Sequence, residues 1–223
     1  MSDWNLEEVR ARLLKLSTTV VSDALDAVGI RNNAVAGVKP VWNCPAIVGT
    51  AVTVRNIPAG THTQKDHGGF VTTNMAKSGD VIVVGNDGDI ENNGWGGVVA
   101  WAAKLKGVQG TVVDGAVRDV DGYIDMGYPV YAKGVVPRTA RGRLMRDETN
   151  IRIKFCNTQV IPGDLVFADK NGIVFIPTEK VLEVVEKAEE IEVRENAMIE
   201  MLKKGLDPIE VGRQSGYENL LKK

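Results

Sequence analysis

An arginine and an aspartate that are adjacent in the chain, Arg118 and Asp119, are the side chains best suited to bind a small charged ligand. They follow a β-branched run at 111–113 and precede a helical pattern that ends near Met126, so they fall between a buried strand and a helix. Open α/β sheets bind their ligands at this position. A guanidinium can bind a carboxylate through two hydrogen bonds, and a carboxylate can bind a hard divalent cation. The pair indicates an anion or metal site, with a surface ion pair or a helix cap as the alternative.

A glycine-rich helix start lies upstream, in the run Gly-Trp-Gly-Gly-Val-Val at 94–99. Free backbone N–H groups at a helix start attract anions, and the absence of Cβ atoms lets a ligand approach closely. The spacing is not that of a dinucleotide-binding loop, and the nearby Gly85 to Gly88 segment is not a phosphate-binding loop. The run predicts an anion site, with a turn that needs glycine only for its geometry as the alternative.

Other polar groups carry less specific signals. The carboxylates of Asp87, Asp89 and Glu91 fall within a short segment and can gather a cation, although a solvated loop is the simpler explanation. The imidazoles of His62 and His67 have no partner at metal-ligand spacing. Four arginines are typical of a solvated loop, with a contact to another subunit or to a substrate carboxylate as the next alternative: Arg138, Arg141, Arg143 and Arg146.

Composition narrows the class of protein. The chain has 223 residues, 43% of them hydrophobic and 25% charged, and it is expected to form a single domain over 1–223. A formal net charge of −2 gives no basic excess for direct binding to nucleic acid. The two cysteines, Cys44 and Cys156, build neither a disulfide framework nor a cysteine-based zinc site. An acidic N-terminus and the lack of a long apolar run predict a cytoplasmic protein without a membrane span.

The periodicity of apolar residues predicts an α/β fold. Strands at 46–54, 81–84, 111–113 and 129–132 alternate with helices at 63–76, 97–106 and 118–126. Short strands at 151–155, 165–168 and 173–176 are separated by turns at 162–164 and 170–172 that suit antiparallel hairpins. Helices are expected in 1–30 and in 178–223. The region 178–223 begins with a long helix that starts at Thr178 and ends at Gly205. The sheet is therefore expected to be mixed.

Taken together, five blocks of the chain resemble the RraA-like family, in the same order: 16–26, 49–54, 79–84, 114–119 and 162–174. The resemblance covers about residues 14–200. This family holds the regulator of ribonuclease activity A and the class II aldolases of 4-hydroxy-4-methyl-2-oxoglutarate and 4-carboxy-4-hydroxy-2-oxoadipate. It implies a β/β/α swivelling-domain-like sandwich that assembles as a homotrimer or homohexamer, with sites between neighbouring subunits.

The resemblance also implies roles for particular residues. Asp119 would hold a divalent cation, Mg²⁺ or Mn²⁺, largely through water, and Arg118 would bind the 2-oxo acid. The backbone amides of the 96–99 segment, from Gly96, Gly97, Val98 and Val99, would bind the pyruvate-like carboxylate. Arg118 and Asp119 would then be the catalytic side chains.

One position departs from the aldolase pattern, in which an acidic residue stands 21 positions before the arginine. Here that position is Gly97. Asp87, Asp89, Glu91 or a side chain of a neighbouring subunit could supply the missing carboxylate.

The leading functional hypothesis is a metal-dependent lyase that releases pyruvate from 4-hydroxy-2-oxo acids by retro-aldol cleavage, or from oxaloacetate by decarboxylation. Both reactions leave pyruvate enolate, which a chelated cation and Arg118 would stabilise. The alternative is a non-catalytic regulator that binds and inhibits a ribonuclease. A third hypothesis is another oxo-acid or sugar-acid enzyme whose site is rebuilt around Gly97.

Overall fold

A computed structural model describes residues 4–61 and 68–215 of the chain. Two short helices open it, and polar side chains cap both: the carboxamide of Asn5 accepts from the amides of Glu7 and Glu8, and the Ser17 hydroxyl accepts from that of Val20. The helices are α1 (Leu6–Leu13), α2 (Thr18–Ala27), α3 (Gly68–Met75), α4 (Gly97–Leu105), α5 (Val120–Met126), α6 (Val181–Lys203) and α7 (Pro208–Ser215). The strands are β1 (Ala34–Val35), β2 (Lys39–Pro40), β3 (Ile47–Pro58), β4 (Asp80–Asn93), β5 (Gly110–Val117), β6 (Val130–Val135), β7 (Leu144–Thr149), β8 (Ile153–Phe155), β9 (Thr158–Val160), β10 (Leu165–Ala168) and β11 (Ile173–Ile176).

The main sheet is mixed, as the sequence predicts. Its strand order is β1-β11-β10-β3-β4-β5-β6-β2, and β7 pairs with β3 beside this path. The strands β3, β4, β5 and β6 run parallel, whereas β10 is antiparallel to both β3 and β11. The parallel centre places the carboxyl ends of β4 and β5 side by side, and the helices α4 and α5 follow these two strands.

Three clusters of buried side chains cover the sheet. The first lies against α4 and α5 and includes Trp95 and Tyr123. The second packs β10 and β11 against α1, α2 and α6, with Phe167 and Val185 among its members. The third lies under the β8–β9 hairpin and contains Phe155. The expected α/β sandwich with a long C-terminal helix is confirmed, and within 4–61 and 68–215 no helix has the length and hydropathy to cross a membrane.

The structure corrects the prediction that β4 ends at residue 84. Residues 85–89 belong to the same strand, which continues to Asn93. The register with β5 moves from Gly85 opposite Asp114 to Asp89 opposite Gly115, so three residues bulge out of the ladder. The glycines and aspartates of 85–89 therefore lie in a bulged part of β4 and do not end the strand.

Other boundaries also differ from the predictions. Part of the basic segment predicted as a loop forms β7, which is only partly buried and pairs with β3 alone. The turn at 162–164 does not close a hairpin, because β9 pairs with β8; the turn at 170–172 does join β10 to β11. The long helix starts at Val181, since Thr178 lies in a short 3₁₀ turn and its hydroxyl donates to the Gly163 carbonyl. Of the helix predicted at 63–76, residues 63–67 lie outside the described residues.

An ion pair between the partly exposed Lys133 and the buried Asp114 lies where the β8–β9 hairpin meets the end of the parallel sheet. The Asp114 carboxylate, 2% exposed, lies 2.6 Å from the Lys133 ammonium and accepts a hydrogen bond of 2.8 Å from the Cys156 amide. Burial acts to raise the pKa of Asp114, but the hydrogen bonds from Lys133 and Cys156 outweigh it and hold this pKa below its usual value. Burial and this carboxylate raise the pKa of the Cys156 thiol to about 11, so the thiol stays protonated and donates to Asp114 at 3.1 Å.

We predict that Lys133→Met lowers the free energy of unfolding at pH 7 by about 3 kcal/mol, because it leaves the buried Asp114 carboxylate without its cation. Since the native pKa of Asp114 is depressed, its stabilising effect is present above the unfolded value of about 3.9 and is lost as the pH falls through the native pKa. The deficit of the variant should therefore shrink below about pH 4. Urea denaturation at pH 7 and at low pH measures both effects.

The matched control is Lys154→Met, because Lys154 is 71% exposed and lies 3.9 Å from Asp87. This change should alter stability by less than about 0.5 kcal/mol. Equal losses in the two variants would contradict the role given to the pair of Lys133 and Asp114.

Candidate functional site

Two backbone hydrogen bonds bring the glycine-rich helix start against the Arg118-Asp119 pair. The Gly94 amide donates to the Ala116 carbonyl at 2.7 Å, and the Arg118 amide donates to the Trp95 carbonyl at 3.3 Å. The Tyr123 hydroxyl, on α5, donates to the same Trp95 carbonyl at 3.0 Å. The starts of α4 and α5 are thus fastened to each other at the carboxyl edge of the sheet.

Asp119 is held in an unusual conformation at the start of α5. Its φ of 67° and ψ of 40° lie in the left-handed region, which is costly for a residue with a side chain and less so for aspartate. This backbone directs the carboxylate to α4, where Oδ2 accepts a hydrogen bond of 2.8 Å from the Gly97 amide. The Arg118 Nε lies 3.5 Å from the same oxygen. The arginine, the aspartate and the helix start, singled out separately from the sequence, form one site.

Two amides at the start of α4 have no acceptor among the described residues. The Gly97 amide is taken by Asp119, and the Ala100 amide donates to the Gly96 carbonyl within the helix. Among the described residues, no group accepts from the amides of Val98 and Val99. Successive free N–H groups at a helix start, with the positive end of the helix dipole, suit a carboxylate.

A divalent cation fits this site through one carboxylate. The Oδ1 atom of Asp119 accepts no hydrogen bond from the described residues, and the side chain is 45% exposed. In 4–61 and 68–215 no group of three or more histidine, cysteine or acidic side chains could hold a metal ion. Magnesium commonly binds one or two carboxylates and completes its shell with water and substrate oxygens, so Asp119 alone is an adequate protein ligand.

The acidic segment before α4 has other partners. Asp89 accepts from the amides of Glu91 and Asn92, whereas the Glu91 carboxylate lies 3.2 Å from Arg138. Burial acts to raise the pKa of Asp89, but hydrogen bonds from Asn92 and Glu91 hold it below its usual value. Asp87 is 78% exposed and lies 3.9 Å from Lys154. Asp89 and Glu91 thus form their contacts within or beside their own segment, and Asp87 is largely exposed.

Two further groups of predicted candidates are the histidines and the basic segment. His62 and His67 fall outside the described residues. In the basic segment, the Arg143 guanidinium donates to the Thr139 carbonyl, and Arg138 pairs with Glu91 as stated above.

The side chain of Asn93, which was not among the predicted candidates, reaches the site from the end of β4. It is 7% exposed, and its Oδ1 accepts a hydrogen bond of 2.7 Å from the Ala140 amide. No local pattern signals this residue, because its partner lies 47 positions away in the chain.

Comparison with known proteins agrees with this architecture. The chain matches the RraA-like family, described as Aldolase/RraA, over residues 18–175. Protein DlpA of Legionella pneumophila is 31% identical over 176 residues, which are 79% of this chain but only 28% of that protein. A protein of Halalkalibacterium halodurans named "Putative 4-hydroxy-4-methyl-2-oxoglutarate aldolase" is 30% identical over 177 residues, 78% of each chain.

A solved structure gives the same result. The crystal structure of Streptomyces coelicolor RraAS2, described as an unusual member of the RNase ES inhibitor RraA protein family, has a TM-score of 0.76 at 26% identity. The match covers 85% of this chain and 95% of that one. On its sequence, its fold and these matches, the chain belongs to the RraA-like family.

Proposed function

We propose that this protein is a divalent-metal-dependent lyase of the cytoplasm that acts on small 2-oxo acids. Its reactions would be retro-aldol cleavage of 4-hydroxy-2-oxo acids to pyruvate and decarboxylation of oxaloacetate. The observation that carries the proposal is the contact of Asp119 with the Gly97 amide, which sets a carboxylate, a guanidinium and two free amides around one space. The relatives named as aldolases support the same class of reaction.

Each part of the site has a chemical task in this proposal. The amides of Val98 and Val99 bind the substrate carboxylate, and Arg118 stabilises the negative charge that develops on the enolate oxygen. Asp119 holds Mg²⁺ or Mn²⁺, and the bound cation supplies Lewis-acid stabilisation of the same enolate. Arg118 is 37% exposed and its contact with Asp119 is long, so the guanidinium can turn to a ligand at little cost.

We also propose a homotrimer or homohexamer with the site near a subunit boundary. On α4 three exposed apolar side chains are spaced by three and four residues, so they form a stripe on one face: Val98, Trp101 and Leu105. Their exposed fractions are 72%, 47% and 80%. Large apolar groups exposed together are typical of association surfaces. Because Val98 also belongs to the anion site, a second subunit on this stripe would lie beside the substrate.

The resemblance to RraAS2 supports a second candidate function, in which the protein binds and inhibits a ribonuclease without catalysis. The two candidates differ in what they require of Arg118. A lyase needs its guanidinium at the enolate, whereas a protein contact elsewhere on the surface does not.

We predict that Arg118→Lys loses most of the lyase activity while the fold survives. Lysine keeps the positive charge but cannot form two parallel hydrogen bonds. Loss of one donor to a developing oxyanion costs about 2.7–4 kcal/mol, so kcat should fall by about a hundredfold or more. Pyruvate release from oxaloacetate and from 4-hydroxy-4-methyl-2-oxoglutarate, with Mg²⁺ or Mn²⁺, measures the loss.

The control for this experiment is Arg12→Lys, since Arg12 forms two hydrogen bonds with Glu189 of α6, away from the site. Wild-type turnover in Arg118→Lys would refute the catalytic assignment. A wild-type protein without activity above the metal blank, together with recovery of a ribonuclease by the Arg118→Ala protein, would favour the regulator.

We predict that Gly97→Asp raises retro-aldol turnover relative to decarboxylation, because only the aldol cleavage needs a base for the C4 hydroxyl proton. A Cβ on Gly97 would lie 3.2 Å from the Asp119 Cβ, so Asp119 must shift by a few tenths of an ångström. Gly97→Asn imposes the same crowding without the charge. A ratio of the two activities that moves equally in both variants would show that the position serves close backbone approach alone.

We predict that Leu105→Glu dissociates the oligomer and lowers activity with it, because the charge lies in the apolar stripe. The matched control is Ile209→Glu on α7, where the side chain is 66% exposed. Light scattering at micromolar concentration gives the mass of each variant. A wild-type protein that is monomeric, or a Leu105→Glu oligomer of unchanged mass, would contradict the proposal.

A further inference from the structure

The absence of a side chain at Gly96 leaves a small space with polar groups on three sides. A Cβ built on Gly96 would lie 3.1 Å from Asp119 Oδ2, 3.5 Å from Asn93 Nδ2 and 3.6 Å from Arg118 Nε. The φ of Gly96 is −135°, a conformation that any residue adopts, so glycine is not required here by the backbone. What glycine provides is the space itself.

The structure fixes which end of the Asn93 carboxamide faces this space. The Ala140 amide donates to Oδ1, and a backbone N–H can donate only to the oxygen, so the NH₂ group is the end near Gly96. The side chain is more than nine-tenths buried, and no described residue accepts from Nδ2. Asn93 therefore presents an unpaired NH₂ donor, and the hydrogen bond from Ala140 fixes the orientation of its side chain.

Arg118 presents a second unpaired donor. Its Nε is buried without a hydrogen bond among the described residues, and the Asp119 oxygen beside it is 3.5 Å away. Buried donors without partners are rare in folded proteins and indicate a missing ligand or water. Opposite the two donors stands one acceptor, the Asp119 carboxylate.

The Cβ position itself is too close to the Gly96 Cα for a ligand atom, but an oxygen in contact with that Cα would face the same two donors and one acceptor. Such an oxygen would accept two hydrogen bonds and donate one. A hydroxyl group has this pattern, whereas a carboxylate or keto oxygen cannot donate. We propose that the space over Gly96 is a hydroxyl subsite and that Asn93 is a substrate-binding, specificity-determining residue. The inference rests on the proposed lyase function, in which the occupant is the C4 hydroxyl of a 4-hydroxy-2-oxo acid.

This subsite selects among the substrates proposed above. A 4-hydroxy-2-oxo acid satisfies all three groups, whereas oxaloacetate carries a carboxylate at C4, whose oxygens can accept from the two donors but cannot donate to Asp119. A site built to hydrogen-bond a hydroxyl discriminates against ligands that lack it, because its own polar groups are then left unpaired.

Two variants test the subsite in different ways. Gly96→Ala fills the space with a methyl group and keeps Asn93, whereas Asn93→Asp keeps the acceptor for Ala140 and removes the NH₂ donor. The measured quantity is the ratio of the affinity for 4-hydroxy-2-oxoglutarate to the affinity for 2-oxoglutarate, which have the same charge and differ only in the C4 hydroxyl, so the ratio cancels any uniform loss; calorimetry with Mg²⁺ measures both. We expect this ratio to fall by about tenfold or more in each variant. Asn157→Asp, in the exposed turn between β8 and β9, is the matched control and should leave the ratio unchanged.

A ratio within twofold of the wild-type value in either variant overturns the proposal and assigns the space to water. If the wild-type protein releases pyruvate from neither 4-hydroxy-4-methyl-2-oxoglutarate nor oxaloacetate, the lyase proposal fails, and the two affinities still test the subsite. The wild-type protein should then bind 4-hydroxy-2-oxoglutarate about tenfold more tightly than 2-oxoglutarate, and Asn93→Asp should lose that preference. Equal affinities of the wild-type protein for the two ligands would overturn the subsite on their own.

Discussion

The site depends on the hydrogen bonds that fasten the segment before α4 to the end of β5. The Gly94 amide bonds to Ala116, and the Trp95 carbonyl accepts from both Arg118 and Tyr123. Trp95, Ala116 and Tyr123 are buried. A buried backbone group left unpaired costs about 1–3 kcal/mol, so the arrangement is favoured over alternatives. Without it the two helix starts would have no fixed relation, and neither the amides of α4 nor Asp119 would define a common ligand space.

Close approach of the two helix starts explains the residue at position 97. Asp119 reaches the α4 amide from a left-handed backbone conformation, and a Cβ on Gly97 would come within 3.2 Å of its own Cβ. The charge-assisted hydrogen bond from Gly97 offsets part of the conformational cost at Asp119. In this chain the carboxylate of Asp119 occupies the space beside the helix start, and a second acidic side chain at position 97 would crowd it and repel it.

Only the resemblance to the RraA-like family implied that Arg118 and Asp119 act together with the 94–99 run, whereas the residue pattern was sufficient to predict the alternating strands and helices and the mixed sheet. These features are local or follow from the geometry of parallel strands, because the carboxyl ends of neighbouring strands share an edge. The strand β7 was missed because it is only partly buried, so its residues Leu144–Thr149 show no clean alternation. Asn93 was missed for another reason. Its role depends on Ala140, 47 positions away, and no periodic pattern reports such a contact.

The magnitudes of the contacts at Asp119 show why one carboxylate can serve several partners. The hydrogen bond from Gly97, at 2.8 Å, is short and charge-assisted, so it fixes the orientation of the side chain. The contact with Arg118 is long and half-exposed, a class of ion pair worth about 0–1 kcal/mol. The stronger hydrogen bond therefore joins Asp119 to the backbone of α4, and the weaker contact joins it to the guanidinium of Arg118. Two good hydrogen bonds from Arg118 to a ligand anion would outweigh the contact with Asp119 that they replace, and Asp119 would keep its position.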